Sequence, residues 1–542
     1  MSNLLEKASI LLTPTAYSDG TLHSVKPVQT FSNELITNGD FATDTNWTKF
    51  SNATISGGTA NLPNASAAVR QIESGLETNK NYKITYDVIS SSGNNVLFTT
   101  RGGTCLRVDL PSSVGTHTVF ARTDSTGGDE FFISVKTFSA SAVIDNVSLK
   151  KVTDGDFDFT RATAATRYNS SGIIEFVDSN IPRINYLGGS CGYWLLEPAT
   201  INKATYSNDF SQGDIFQGSS NPSLTGAVLS ANQGTAPDGT NAAQKLIDNN
   251  DGSSGSVAIN FFSTNLTSAT DSTISVFAKK DGANVLRINM TGFDNGRAAF
   301  FNLANGTKSG TTQSSMEDYG NGWYRCSVTM NTTTDLVGAC LFNICSDSNQ
   351  TSIPRNGTQS ILLWGMQSEE QSFPTSHIPT SGSTMTRNKE EANSSGDSSL
   401  ISSTEGVLYV EIAALANDTT SRSISLTSGN NTDRVTIQYR NASNAINAFY
   451  RSSNVNIGQI FFSATDITQF SKIAYRYKEN DFALFVDGVK VGSVTSGSFS
   501  STLTALSFDR ANSNDTQFFG KVKSVAVFKE ALTDAELICL TS

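Results

Sequence analysis

Residues 361–387 read ILLWGMQSEEQSFPTSHIPTSGSTMTR, and this stretch decides the fold. Ile361, Leu362, Leu363 and Trp364 form an apolar run of strand length, the pattern of a buried strand. Gly365 then punctuates the run, and a tract rich in Pro, Ser and Thr follows, carrying Pro374 and Pro379. A residue ahead of proline is pushed toward extended backbone, so this tract is expected to cross the surface as an ordered strap and not as a helix. From its residues alone the stretch is a strand leaving a β-sandwich.

Composition extends that reading outward. The chain has 542 residues, too many for one core, so about three or four domains are expected. Only 16% of residues are charged, and 32 Phe stand against 6 Met, with Gly, Ser, Thr and Asn filling the balance. Few helix formers and many aromatic, β-branched and turn residues predict an all-β chain. A net charge of −11 without clustered Lys and Arg argues against nucleic-acid binding. The N-terminus has no basic start followed by a long apolar run, and no apolar stretch reaches membrane-spanning length, so neither secretion nor membrane insertion is expected. Cys105, Cys191, Cys326, Cys340, Cys345 and Cys539 lack metal-ligand spacing and read as small buried residues, although Cys340 and Cys345 could pair.

Several segments resemble structural proteins of tailed bacteriophages. Residues 361–387 closely resemble a signature of their fibres and spikes. Residues 9–27 (SILLTPTAYSDGTLHSVKP) and 157–180 (FDFTRATAATRYNSSGIIEFVDSN) read as short strands around Asp19-Gly20 and Ser-Ser-Gly turns, and together resemble one continuous module at the start of many such fibres. Here a domain is read as inserted between them, as exposed turns permit. Its opening NGDF…W and closing IDNVSL resemble jelly-roll carbohydrate-binding modules, in which first and last strands lie side by side. That resemblance implies a structural calcium at Asp145, with the backbone of residues 38–40 in support; Asp145 reads equally as a turn residue. Trp47 reads as core more readily than as a sugar platform. Residues 405–542 alternate cleanly, carry the hairpin DFALFVDGVKVG, and end in a short helix for which Thr533 and Glu536 form a capping box. They resemble concanavalin A-like domains of the laminin-G or lectin type.

The expected organisation is therefore an all-β string of jelly-roll and β-sandwich domains. Residues 1–30 and 154–200 form a virion-anchor module, 31–153 the inserted jelly roll, and 201–387 a spike-type sandwich. Residues 388–404 are a polar linker that lets the outer domain, 405–542, move.

No catalytic set emerges. His23, His117 and His377 fall in different domains, which excludes a shared metal or triad. Glu369 and Glu370 are adjacent and would point to opposite faces of a strand, whereas a glycosidase needs two carboxylates facing one bond. The resemblance implies a non-enzymatic virion protein requiring no cofactor beyond a structural calcium. Its implied partners are capsid, portal, neck or tail proteins and host-surface glycans, and a homotrimer is expected. A glycan-degrading spike and a bacterial adhesin are the alternatives.

Overall fold

Period-two alternation builds most of the strands. Asn81–Ser91 places Tyr82, Ile84, Tyr86 and Val88 in a core while the residues between them stay partly exposed. A computed structural model describes residues 4–72, 76–77, 80–92, 97–99, 106, 108–123, 130–136, 139–212, 222–265, 270–293, 297–331, 337–346, 350–510 and 516–542. The fold is all-β, and Asp534–Thr541 is the one α-helix among the described residues. Thr533 and Glu536 cap that helix reciprocally, as expected.

The chain divides into two compact units: Lys26–Gly155, and Met1–Val25 together with Asp156–Ser542. The first unit packs two antiparallel sheets over a core that includes Trp47, Tyr82, Ile84, Phe131 and Leu149. Its first strand, Thr30–Phe31, pairs with its last, Ala142–Thr153, through Val152 opposite Phe31.

The second unit contains two sandwiches. One faces a six-stranded sheet ordered Ser223–Thr225, Val257–Asn265, Val337–Cys345, Val285–Thr291, Ala298–Asn302, Thr307–Gly310 against another six-stranded sheet centred on Ser360–Glu369 and Ser272–Lys280. All of Ser360–Glu369 is buried. Gly365 therefore does not end the strand, as its reading as punctuation implied. It sits at φ +65° where the register with Ser272–Lys280 slips between Ser275 and Phe277, so the strand bulges and continues to Glu369. A Cβ at that position would stand 2.8 Å from the Phe277 ring, a contact only glycine avoids.

In the other sandwich, Gly520–Phe528, Glu405–Ala414 and Ser471–Lys478 form the middle of an eight-stranded sheet, which covers a five-stranded sheet running from Val455–Ser463 to Ala505–Ser507. The expected anchor module is not a separate body. Ile10–Leu12 pairs with Gly520–Phe528, Ile10 opposite Val527, and Tyr193–Leu196 pairs with the same strand, Trp194 opposite Val522. Ile10, Leu12, Leu22, Phe157, Phe159, Trp194 and Leu196 enter the core of this sandwich. These short hairpins cannot bury a core alone, and they complete the C-terminal one instead. An anchor at one end and an outward domain at the other are thereby corrected to a single packed body.

The linker at 388–404 is corrected as well. Glu391–Asn393 is a strand on Phe157–Thr160, Ala392 and Ile401 are buried, and Ser395 exchanges backbone hydrogen bonds of 3.0 and 2.8 Å with Leu506. Its polar side chains misled because they are bonded within the fold: Gln517 donates to Glu391 at 2.7 Å.

Candidate ligand-binding face

The residues singled out in the sequence mostly serve packing. Only part of the strap lies on the surface: residues 381–386 are exposed, whereas Thr375, His377, Ile378 and Thr380 are buried. Beneath it lies a cluster of five buried charges. Arg161 and Arg183 reach Glu390 at 2.8 and 2.5 Å, and Arg183 and Arg387 each reach Glu197 at 2.8 Å. Ser376 of the strap donates to Glu197 from its backbone and its hydroxyl, at 2.7 and 2.6 Å. Burial opposes ionisation of Glu197, but Arg387, Arg183 and Ser376 outweigh it and hold the carboxyl down to about 2. Every charge here has a partner of opposite sign, so the cluster joins the strap to residues 161–197 and 387–390.

Glu369, the last residue of its strand, and Glu370, just beyond it, diverge. Glu369 is buried and accepts from Gln367 at 2.7 Å and from the Thr375 hydroxyl at 2.6 Å, and burial raises its pKa. Glu370 pairs with Lys203 on the rim. His377 is buried against Trp364, with ring centroids 4.6 Å apart, and neither ring nitrogen has a hydrogen-bond partner. Burial, with the neighbouring Arg325, lowers its pKa to about 3. His23 bonds to Asp156 at 3.1 Å and to Ser18 at 2.9 Å, and His117 to the Ser113 carbonyl at 2.6 Å.

In the first unit Trp47 is core, not platform: it is 6% exposed, packs on Phe41 with ring centroids 5.1 Å apart, and donates to the Asn38 carbonyl at 2.9 Å. Asp145 stands at a register shift in Ala142–Thr153, opposite Asp87. One of its oxygens accepts from the Asn146 backbone at 2.7 Å. The Gly39 carbonyl accepts from the Val147 backbone at 2.8 Å, which brings the opening loop beside the closing strand. A calcium ion there would draw on Asp145 and on main-chain oxygens of residues 38–40, of which those of Asn38 and Gly39 already accept protein donors. No group of three or more His, Cys, Asp or Glu side chains among the described residues could hold a metal ion. Cys326, Cys340 and Cys345 are buried free thiols, Cys191 and Cys539 are exposed, and Cys105 lies outside the described residues.

One surface differs from all of these. On the five-stranded sheet, alternate residues of Arg434–Tyr439 and Ala445–Ser452 turn away from the core in cross-strand rows. Gln438 lies opposite Asn447, Thr436 opposite Phe449, and Arg434 opposite Arg451. Val455–Ser463 extends two rows, with Phe461 opposite Asn447 and Asn456 opposite Arg451. The side chains line a depression of about 330 Å³, to which Arg440 and Arg510 are added from the flanking loops. No carboxylate among the described residues lines it.

Its chemistry is that of an open site. Arg434, Arg440 and Arg451 form no ion pair with any described residue. The Arg434 guanidinium lies 5.3 Å from the Phe449 ring centre, and that of Arg440 lies 4.7 Å from Phe461, which is 55% exposed. Asn447 is 2% exposed, and its amide oxygen accepts no hydrogen bond. Arg434 and Arg451 face each other as like charges, an arrangement that destabilises a sheet. Burial, and then Arg451 and Arg510, lower the Arg434 pKa to about 9. A buried acceptor without a donor, aromatic surface left in water and crowded cations are features a ligand relieves.

The sequence reading missed this face. Its signal was the alternation in RVTIQY and AINAFYRS, where every second residue is polar, cationic or aromatic at a position otherwise shielded from the core. Nothing in one strand alone shows that Arg434 will meet Arg451.

A family model described as the concanavalin A-like lectin/glucanases superfamily matches residues 407–538, the sandwich that carries this face. Comparison with curated proteins gives no match. Among solved structures, the chain is similar to the carbohydrate-binding module of a Ruminococcus gnavus sialidase bound to α2,3-sialyllactose, at 15% identity over 28% of this chain and 94% of that one, with a TM-score of 0.24. It is similar to a tandem pair of modules from Paenibacillus barcinonensis Xyn10C, at 11% identity over 62% and 98%, TM-score 0.20. It is also similar to Trypanosoma rangeli sialidase, at 10% identity over 98% and 93%, TM-score 0.23. These likenesses are slight.

Proposed function

We propose that the protein is a non-enzymatic structural component of a tailed-bacteriophage virion, a fibre or spike on head or tail, that holds host-surface glycan on the arginine and phenylalanine face of its C-terminal sandwich. The observation that carries the glycan reading is the row Gln438–Asn447–Phe461, in which an unsatisfied buried amide sits beside an exposed ring. Sugars offer hydroxyl donors to the one and C–H faces to the other. The C-terminal family match supports a lectin-type role for this sandwich. The virion assignment draws on the resemblance of residues 361–387, 9–27 and 157–180 to phage fibres, and with it come capsid, portal, neck or tail proteins as partners and a homotrimer.

The reading is tested by presenting the full-length protein to a glycan array and repeating the array with Phe461→Ala. Signal on a defined group of glycans, lost in the variant, is the expected result; silence from both overturns the glycan reading. Release of reducing ends from host capsule or lipopolysaccharide would replace the binding role with a depolymerase. Light scattering tests the trimer, which a monomer at micromolar concentration would exclude.

A further inference from the structure

We infer that the ligand of this face is an acidic saccharide, one bearing carboxylate, sulfate or phosphate groups, and that Arg434 and Arg451 bind its anionic group while Asn447 and Phe461 hold the adjoining sugar. The inference rests on the glycan reading above and adds the charge class.

Three arginines that form no ion pair with any described residue, Arg434, Arg440 and Arg451, line one depression of about 330 Å³ in a chain whose net charge is −11. Beneath the strap in the same unit, the buried Arg161, Arg183 and Arg387 are matched by Glu197 and Glu390. Here Arg434 and Arg451 stand in register with no carboxylate between them. Their hydrogen bonds go to neutral groups: Arg434 to the Asn431 side chain at 2.6 Å, and Arg451 to Asn456 and Asn454 at 3.0 and 3.1 Å. These contacts orient the guanidiniums without neutralising them. An anion between the two removes the repulsion and forms charge-assisted hydrogen bonds, with guanidinium geometry suited to carboxylate, sulfate and phosphate alike. A neutral sugar does neither.

The neighbouring residues restrict the anion to one carried on a sugar. A free inorganic anion would use the guanidiniums but not the Asn447 amide oxygen, which requires a donor. Phe461, exposed and capped on one side by Arg440, offers apolar contact of a kind that a bare ion ignores. A nucleic acid would carry phosphate and bases, but the acidic chain repels a long polyanion beyond the depression.

The experiment is calorimetric titration of the full-length protein with tetragalacturonate, with a neutral maltotetraose of equal length, and with sodium sulfate alone, in low and high salt. Tetragalacturonate is expected to bind at least tenfold more tightly than maltotetraose, to weaken as salt rises, and to lose at least tenfold in affinity in Arg451→Gln. Arg440→Gln, on the exposed rim, provides a second variant should Arg451→Gln misfold, and unchanged melting confirms that either is folded. Equal binding of both tetrasaccharides, or charge-neutral variants that bind as well as wild type, would overturn the acidic class while leaving the glycan reading in place. Binding by sulfate alone at comparable affinity would overturn the saccharide. Failure of both tetrasaccharides, with a glycan array showing only neutral hits, would also overturn the acidic class; a silent array overturns the underlying reading.

Discussion

The second unit uses arginine in two opposite ways. Beneath the strap, Arg161, Arg183 and Arg387 are dry and charge-paired, each within reach of Glu197 or Glu390. On the five-stranded sheet, Arg434 and Arg451 are equally deliberate in register but meet each other instead of a carboxylate. The first arrangement gives the fold a fixed joint, because a buried charge tolerates no loss of its partner. The second leaves electrostatic work undone, to be completed from outside. Residue type alone does not separate structural from functional arginine; the pairing does.

The largest effect should come from breaking the joint. Glu390→Gln leaves Arg161 and Arg183 buried without their shared counter-charge, and should cost about 3–5 kcal/mol of stability in chemical denaturation. A loss below about 1 kcal/mol would mean that water reaches the cluster and that the contrast is overstated.

Acid should act on the same region through two groups. His377 is neutral in the folded chain down to a pKa of about 3, whereas unfolded it takes a proton below about 6.5. Its contribution is therefore complete above about pH 6.5 and declines by at most about 1.4 kcal/mol per pH unit as pH falls toward 3. Arg325 faces the ring, and Glu369 lies on the adjoining strand, protonating early because burial raises its pKa. Glu197, lowered to about 2, contributes stability that is present above the unfolded value of 4.5 and lost as pH falls through 2. His377→Leu should remove the histidine's share of the decline between about pH 6.5 and 4.5, a window in which Glu369, its pKa raised, acts in the opposite sense. A variant with the same slope as wild type would place the acid sensitivity elsewhere.

The open face should respond in the opposite sense. Arg451→Gln removes one of two like charges in register and should leave stability unchanged or raise it by up to about 1 kcal/mol while abolishing ligand binding. A destabilisation comparable to that of Glu390→Gln would return Arg451 to the structural class.

The smallest effect concerns an acidic counterpart. Asp145 and Asp87 are opposed across two strands, and Asp87 is lowered by hydrogen bonds from Thr116 and Asn146. We propose that calcium bound by Asp145 raises the melting temperature of the full-length protein by a few degrees relative to chelator, and that Asp145→Ala removes the difference. Identical melting in both buffers would leave Asp145 without a metal role, at a register shift inside Ala142–Thr153 and not in the turn its sequence also allowed.

Much of this architecture could be read before any coordinates. The alternation within 405–542, the buried run at Ile361–Trp364 and the Thr533–Glu536 cap are local patterns, and each took its predicted form. What escaped were relations between distant segments. Ile10–Leu12 is too short to declare a partner, and its partner lies more than five hundred residues away in Gly520–Phe528. The strap seemed superficial because its Ser and Thr are polar, yet Ser376 and Thr375 are spent on Glu197 and Glu369 inside the fold. The arginine face escaped for the same reason, since its meaning lies in rows across Arg422–Thr427, Arg434–Tyr439, Ala445–Ser452 and Val455–Ser463.

The pairing of Ile10 with Val527 also sets a timetable. A ribosome adding about 5–20 residues per second exposes Ile10 and Leu12 for roughly half a minute to a minute and a half, and Phe157 and Trp194 for roughly a quarter of a minute to just over a minute, before their central strand emerges. Through that interval the nascent chain carries unpaired edges and bare apolar side chains, the state most open to chaperones, to proteases and to neighbouring chains on the same message. A premature stop anywhere before residue 520 leaves Ile10–Leu12 without its mate.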